Sequence, residues 1–482
     1  MNYKGLSEEK HIEIIEKQAS RIAYLEFELE QLKRALFGSK SERFISNAGD
    51  GQLNLFTNEP QEETPVETTT VASHTKKKQK PKRKKLPAHL ERRVEIIEPE
   101  IDTTDMRYIG EEVTEKLEVV PAKLFVRQMK RPKYVDKVGK IYIAPVPSEP
   151  FPKCIAGASL AAQVLISKFV DSLPLYRQAK IFKRSDIDLP TSTLNDIVAR
   201  TFRLLLPLLI AHEKIILEQE YIMADESSIR VLTKNNEKGS IKGCMLIIAA
   251  PILNLVLMKY IKTKEKDNIV NSLKSILGHL QADGYTVYEA LGKLDAIILM
   301  HCMAHARRKF EKALDYHKEK AEIALNFIAQ LYAIERKIKE FSVDEKYQIR
   351  QEQAIPILNK YKQWLEGNLA DKKPMNPMQR AIRYTLKRWS GLTEYTKNGN
   401  FQIDTNYLER EVRPLALGRK NYLFAGSHNG AHYAALFYSL FATCRLNGIE
   451  PFKWLTYVLE KIQDHPINKI EELLPHPGFS YS

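Results

Sequence analysis

Glu220-Tyr221-Ile222-Met223-Ala224-Asp225 reads as a mostly apolar strand that ends in a carboxylate, and Glu226-Ser227-Ser228-Ile229-Arg230-Val231 follows directly. Short apolar runs bounded by polar residues are the signature of buried strands. Two more follow, Cys244-Met245-Leu246-Ile247-Ile248-Ala249 and Leu255-Val256-Leu257-Met258-Lys259-Tyr260. The spacing then predicts a helix from Ile269 to Leu277. His279-Leu280-Gln281-Ala282-Asp283-Gly284-Tyr285 is a strand that again ends in Asp, and after a short helix Ala296-Ile297-Ile298-Leu299-Met300-His301 supplies a fifth. The resulting order is βββαβαβ.

A hairpin-linked trio followed by alternating helices and strands matches a ribonuclease H-like layout, in which the first and fourth strands are neighbours. Asp225 and Asp283 stand at those two strand ends. Alone, either is most often a loop or cap residue; together they suit the chemistry of two Mg²⁺ ions acting on an in-line phosphoryl displacement. A third carboxylate is expected from a helix packed on the sheet. Asp404-Thr405-Asn406-Tyr407-Leu408-Glu409-Arg410-Glu411-Val412-Arg413-Pro414 offers one, since Asp404 or Thr405 can cap a helix that carries Glu409 and Arg413 on one face, i to i+4. That spacing equally describes a surface ion pair, and Glu411 and Glu226 compete for the acidic role.

The stretch from Asp283 to Glu409 is far longer than one helix and one strand need, so an insertion is required. Ala324, Phe327, Leu331, Ile334 and Ile338 recur at helical spacing, and further helices run through Trp364 and from Met378 to Trp389. Arg380, Arg383, Lys387 and Arg388 make a basic stripe on this insert, either for DNA or as the solvated face of a packing subdomain. Just past the fifth strand, Cys302-Met303-Ala304-His305 supplies only two of the four ligands a zinc ion takes, which favours a buried thiol and a hydrogen-bonded His supporting the site. Arg307, Arg308 and Lys309 follow, suited to phosphate contact or to solvation. Arg419 and Lys420 lie among glycines and aromatics in Leu417 to Ser427, where a DNA backbone can come close.

Outward toward the N-terminus, residues 151–216 read as helical. Leu173-Pro174-Leu175-Tyr176-Arg177-Gln178 opens one helix and Thr191-Ser192-Thr193-Leu194 offers an N-cap for the next, a pair that suits a helix-turn-helix-like unit. Residues 91–150 alternate β-branched and polar residues, as in Leu124-Phe125-Val126-Arg127 and Ile141-Tyr142-Ile143, and predict a small β-rich module with a basic segment at Lys130 to Tyr134. Residues 46–90 predict a disordered linker that ends in Lys76, Lys77, Lys78, Lys80, Lys82, Arg83, Lys84 and Lys85, a run able to bind phosphates without reading sequence, or to serve as a charged tether. In residues 1–45, Ile15, Gln18, Ile22, Leu25, Leu29, Leu32 and Leu36 mark the a/d seam of a short coiled coil, or one amphipathic helix packed on its own domain.

The whole chain has 482 residues, which at roughly 150 per domain predicts about three domains. Its formal charge of +14 and pI of about 9.2 favour a polyanionic partner. Cys154, Cys244, Cys302 and Cys444 are scattered, which argues against a disulfide framework and fits a reducing cytosol. No signal core and no long apolar run is present, so neither export nor a membrane span is expected.

Taken together, these residues resemble the insertion-sequence-66 family of transposases. The resemblance rests on LFGSKSER (36–43), LPLYRQ (173–178), ADESSIRVL (224–232), QADGYTVYEAL (281–291), CMAHARRKF (302–310), NYLEREVRPLALGRKNYLFAGS (406–427) and IEELLPH (470–476), spread over nearly the whole chain. It implies a DDE transposase in which Asp225, Asp283 and Glu409 bind two divalent ions, Mg²⁺ or Mn²⁺. Family register favours Glu409 because it precedes Arg410 and the Arg413-Pro414 pair, with Cys302, His305 and Arg413 supporting the site. Water would attack phosphodiesters at the element's ends, and the freed 3′-hydroxyls would then attack target DNA.

Many members of the family carry a four-cysteine zinc ribbon in the region where this chain has Ile101 to Met106 and Tyr134 to Gly139. Those ligands are absent, so no zinc is expected. The expected architecture is multidomain α+β: coiled coil (1–45), basic linker (46–90), β module without zinc (91–150), helical region (151–216), ribonuclease H-like core (217–430) with a helical insertion at about 311–395, and a helical C-terminal region (431–482). Expected partners are the element's terminal repeats, target DNA, a second copy through the coiled coil and small proteins encoded beside the transposase, in the cytoplasm on the nucleoid. A catalytically silent DNA-end-binding derivative and a ribonuclease H-like nuclease are the alternatives.

Overall fold

The computed structural model describes Ile22 and residues 124–481, apart from 136–140, 144, 146, 153, 234–238 and 371–374. The remainder of the coiled-coil seam, the Lys76 to Lys85 run and the first part of the β module lie outside the described residues. The chain divides into two compact units, one of residues 52–146 and the other of residues 1–51 and 147–482.

In the smaller unit, β1 (Lys133–Val135) and β2 (Ile141–Ile143) form an antiparallel ribbon with Tyr134 opposite Tyr142. The expected strand at Leu124 to Arg127 is not formed. Those residues have no regular structure, and Phe125 and Val126 are exposed. Alternation alone is a weak instruction, because a strand needs a neighbour to complete its ladder.

The larger unit opens with three helices, α1 (Ala158–Phe169), α2 (Leu175–Lys183) and α3 (Thr191–Leu217). Pro174 and Pro190 sit at the N-caps of α2 and α3, so the Thr191 to Thr193 hydroxyls expected to cap α3 lie inside it instead. Next come β3 (Tyr221–Leu232), β4 (Ser240–Ala250), β5 (Leu255–Ile261), α4 (Lys266–Leu273), β6 (Gly278–Ala282), α5 (Thr286–Leu291) and β7 (Ile297–His301). This is the βββαβαβ order read from the sequence, although α4 stops four residues before Leu277. The sheet order is β5-β4-β3-β6-β7, antiparallel through β5, β4 and β3 and parallel through β3, β6 and β7.

Strand alternation sorts the sheet into two apolar faces. Ile222, Ala224, Leu246, Ile248, Leu255, Leu257 and Leu280 pack with Ile269 and Leu273 of α4 and Val287, Tyr288 and Leu291 of α5. Tyr221, Met223, Met245, Ile247, Ala249, Val256 and Met258 face the larger core. That core draws on α6 (Met303–Glu311), α7 (Lys318–Lys337), α8 (Val343–Ile349) with its π-helical continuation Arg350–Ala354, α9 (Ile355–Gly367), α10 (Pro377–Lys387), α11 (Trp389–Thr393), α12 (Asn406–Tyr422), α13 (His428–Leu446) and α14 (Pro451–Lys461). Helix α13 crosses the boundary expected near 430. It is buried from Ala434 through Cys444, as a central rather than a surface helix would be.

The edge strand β5 has its outward backbone groups satisfied by helix side chains. Met258 N donates to Ser439 Oγ at 2.6 Å, Val256 N to Thr443 Oγ1 at 3.2 Å, and Val256 O lies 2.8 Å from His212 Nε2 of α3. Covering an edge in this way removes a template for stray pairing. Burial pushes the His212 pKa down to about 4. Because the unfolded imidazole titrates near 6.5, stability is complete above that pH and is lost as pH falls through 4, by about 3 kcal/mol at pH 4. Thermal unfolding of His212→Leu should therefore show a shallower decline from pH 7 to pH 4 than the wild type.

Candidate active site

Asp225 does not end its strand. β3 pairs with β6 only from Tyr221 to Met223, then continues beside β4 as far as Leu232. The β3–β6 register carried on by two residues sets Asp225 beside Asp283, where the two parallel strands separate. A carboxylate just past the last shared row of a sheet is held close to the ladder yet open to a ligand, which is why adjacent strands at such a fork make a site.

Each aspartate is fixed through one oxygen. Asp225 Oδ1 accepts from the Glu226 amide at 2.7 Å, and Asp283 Oδ1 accepts from the Tyr285 amide at 2.8 Å. Burial pushes the Asp225 pKa up to about 7, helped by the negative charges of Asp283, Glu226 and Glu409 and opposed by the Glu226 amide. Asp225 on β3 thus feels the charges of both Asp283, just past β6, and Glu409 of α12.

Glu409 sits in the first turn of α12, where a negative charge suits the helix dipole. Both its oxygens lie 2.9 Å from Arg308 Nη2 of α6, and Arg308 Nη1 lies 3.3 Å from His305 Nε2. With Glu409 drawn onto Arg308, no group of three or more His, Cys, Asp or Glu among the described residues stands ready to hold a metal ion. The donor set still fits a hard divalent cation: all three are carboxylates, and their mutual repulsion is what a cation would relieve.

The competing acids are engaged elsewhere. Glu411, two residues along α12, is buried against Arg445 of α13. Asp404 accepts from Tyr332 Oη at 2.6 Å and from the Asn406 amide at 2.9 Å, fixing the start of α12. Glu226 alternates to the opposite face of β3, with only 2% of its side chain exposed, and pairs with Lys264 at 3.2 Å.

Cys302 is buried, and its thiol, pushed up to about 12 by burial, accepts from the Thr405 amide at 3.4 Å. His305 is half-buried, and burial lowers its pKa, with Arg308 acting in the same direction. Arg413 lies one turn beyond Glu409, half-buried. Arg307 pairs with Glu311 at 3.3 Å, Arg419 donates to Ser228 O, and Lys420 is exposed in the last turn of α12.

Of the expected basic stripe on α10 and its C-cap, Arg380 and Lys387 are exposed, Arg383 is half-buried and Arg388 is buried. Lys387 and Arg388 pair with Glu289 of α5 at 3.0 and 2.7 Å, and Arg388 also donates to Gly284 O, next to Asp283. A Cβ at Gly284 would come within 2.5 Å of Tyr384 Oη and 2.7 Å of Arg388 Nε, so those side chains would have to shift to admit one.

Sequence reading missed the residues that hold the strap before α12. Tyr221 Oη donates to Gln281 Oε1 at 2.6 Å and accepts from Gln402 N at 3.0 Å, while Gln281 Nε2 donates to Gln402 O at 2.9 Å. Arg350, 2% exposed, donates to Tyr395 O, Asn398 O and Phe401 O and pairs with Glu335. A lone Arg in a helical insert carries no sequence signal for this; the polar Gln281 inside an apolar strand was the one available clue.

Comparison with known proteins agrees with this architecture. Residues 153–433 match the family described as "Transposase IS66 family", 439–476 the "IS66 C-terminal element", and 24–94 "Transposase C of IS166 homeodomain". Relatives in Sinorhizobium fredii include the uncharacterized proteins y4hP, 32% identical over 94% of this chain and 88% of that protein, and y4jD, 33% identical over 81% of each. The chain belongs to the IS66 family of transposases. DNA is accordingly its partner, and among the described residues no helix is long and apolar enough to cross a membrane.

Proposed function

We propose that this protein is a DDE transposase with a ribonuclease H-like core, and that Asp225, Asp283 and Glu409 hold two divalent ions, Mg²⁺ or Mn²⁺. The observation that supports the reading is that Asp225, at the fork between β3 and β6, stands next to Asp283 in register and feels the charges of both Asp283 and Glu409. When bound, the ions supply activation of the attacking oxygen and stabilisation of the leaving one. The chain's own groups do the rest. The ladder and the two amide hydrogen bonds orient Asp225 and Asp283, and the strap locked by Tyr221, Gln281 and Cys302 delivers α12. Arg308 occupies Glu409 until DNA arrives, then exchanges that carboxylate for a phosphate. Water attacks a phosphodiester at each element end, releasing a 3′-hydroxyl, and that hydroxyl attacks a phosphodiester of target DNA, breaking its P–O3′ bond so that the target's 3′-oxygen leaves as a hydroxyl.

Residues 217–430 form the catalytic core in this reading, with its helical insertion near 311–395. Residues 1–45 pair two copies so that two DNA ends are held together. The basic linker (46–90) and the helical region (151–216) bind DNA, residues 91–150 fold without zinc, and residues 431–482 close the core. Small proteins encoded by the same element assist on the nucleoid in the cytoplasm.

The test is strand transfer by the full chain with a labelled duplex carrying the element's end, in Mg²⁺ or Mn²⁺. Joined product is expected from the wild type and from Glu411→Gln but not from Glu409→Ala. Activity that survives Glu409→Ala would remove Glu409 from the site. Specific end binding without any joined product from the wild type would favour the silent DNA-binding alternative.

A further inference from the structure

Beyond the carboxylates, a cavity of about 480 Å³ opens among α1, α3, β3, the end of α12 and the start of α13, lined in part by Lys168, Asn195, Tyr422, Gly426, Ser427 and Asn429. Lys168, in the last turn of α1, lies mostly out of water, and no acid or hydrogen-bond acceptor among the described residues partners its ammonium. Burial alone acts on it, lowering its pKa to about 8. Its Nζ stands 5.4 Å from the Phe169 ring centre and 5.9 Å from that of Tyr422. Asp196 lines the same cavity but is engaged by Arg200 at 2.6 Å.

An ammonium withdrawn from water without a counter-charge costs stability, and a methionine would fill the same space without that cost. An anion arriving from outside would supply that counter-charge. Other lining residues suit one: helix α13, 19 residues long, begins at His428, capped by Ser427 Oγ on the Gly430 amide at 3.1 Å, and Asn195 and Asn429 also line the cavity.

We propose that this cavity seats a backbone phosphate of DNA. The seat is tied to the catalytic strand, since Ala425 N donates to Arg230 O at 2.8 Å and Leu232 N donates to Ala425 O at 2.9 Å. Arg230 is five residues along β3 from Asp225. The anion seat itself does not depend on the catalytic reading above.

The experiment measures binding of the full chain to the element-end duplex between 50 and 200 mM salt, roughly the range over which phosphate contacts are read. Lys168→Met is expected to weaken binding by about three- to tenfold and to reduce the slope of log Kd against log salt by about one, the effect of one lost phosphate contact. Its melting temperature should equal or exceed the wild type's, and Lys168→Arg should keep the wild-type slope. Asn429→Asp, which puts a negative charge on the lining of the cavity, serves as the second variant and should weaken binding likewise. Wild-type affinity and slope in both Lys168→Met and Asn429→Asp would overturn the proposal. So would inorganic phosphate raising the melting temperature of the wild type but not of Lys168→Met while DNA affinity stays equal, since the seat would then take free phosphate. Asp283→Ala should retain the wild-type slope, so failure of the catalytic reading and failure of the phosphate seat give different results.

Discussion

Strand joining is expected to fall by on the order of 10³-fold or more when Asp283 or Asp225 is replaced by alanine, with binding to the element-end duplex held within about twofold. A bound divalent ion supplies several kcal/mol of transition-state stabilisation, and each 1.4 kcal/mol is tenfold in rate. Either aspartate provides a carboxylate two residues past the last row shared by β3 and β6, and the described residues offer no replacement there: Glu226 faces the other side of the sheet against Lys264, and Asp404 is engaged by Tyr332 and the Asn406 amide. The loss should appear in the rate of joining at saturating DNA, because neither aspartate is suited to holding a polyanion. A second readout is independent of turnover. Mn²⁺ should raise the melting temperature of the wild type by relieving repulsion among the clustered carboxylates, and it should do so much less in either variant. A variant that joins ends at a tenth of the wild-type rate or better would show that its aspartate is not a ligand.

Arg350→Met is expected to cost about 3–5 kcal/mol, the effect of breaking a buried ion pair from one side. Arg350 is 2% exposed, pairs with Glu335 through two hydrogen bonds of 2.9 and 2.6 Å, and donates to Phe401 O at 3.0 Å, Tyr395 O at 2.9 Å and Asn398 O at 2.7 Å. Methionine fills the volume and satisfies none of these groups. Glu335 would be left charged in a largely buried place, and three carbonyls would lose their donor. Lysine should rescue little, because one ammonium cannot reproduce the planar fork that meets a carboxylate and three carbonyls. The same carbonyls belong to the segment that leads into the strap before Glu409. Partial loss of strand joining should therefore accompany the lower unfolding temperature in Arg350→Lys. A melting temperature unchanged in Arg350→Met would refute this account of the strap.

How much was legible in advance depended on the distance over which each signal acts. Apolar runs and their spacing settled the order of the five strands, because burial of a strand is written in its own residues. The fork of β3 was not legible, since Ser227 to Leu232 reads as a continuation and only the differing lengths of β4 and β6 end one pairing while the other goes on. The stripe of Arg380, Arg383, Lys387 and Arg388 reads as a DNA-facing surface or the solvated face of a packing subdomain; contact with Glu289 and Gly284, about a hundred positions away, buries Arg388, while Arg380 and Lys387 stay exposed. Glu409 and Glu411 were separable only by family register, whereas the helix turn directs one to Arg308 and the other to Arg445.

The sequence by itself determined the family and the strand order and put forward the acidic candidates, because motifs and periodicity are local and each residue carries its own share. Tertiary structure alone decided which acids converge, which cations are already spent on protein partners and which, like Lys168, are left facing a cavity. Those outcomes depend on distances between groups far apart in the chain, and packing creates such distances only once the sheet and its helices have closed around one another.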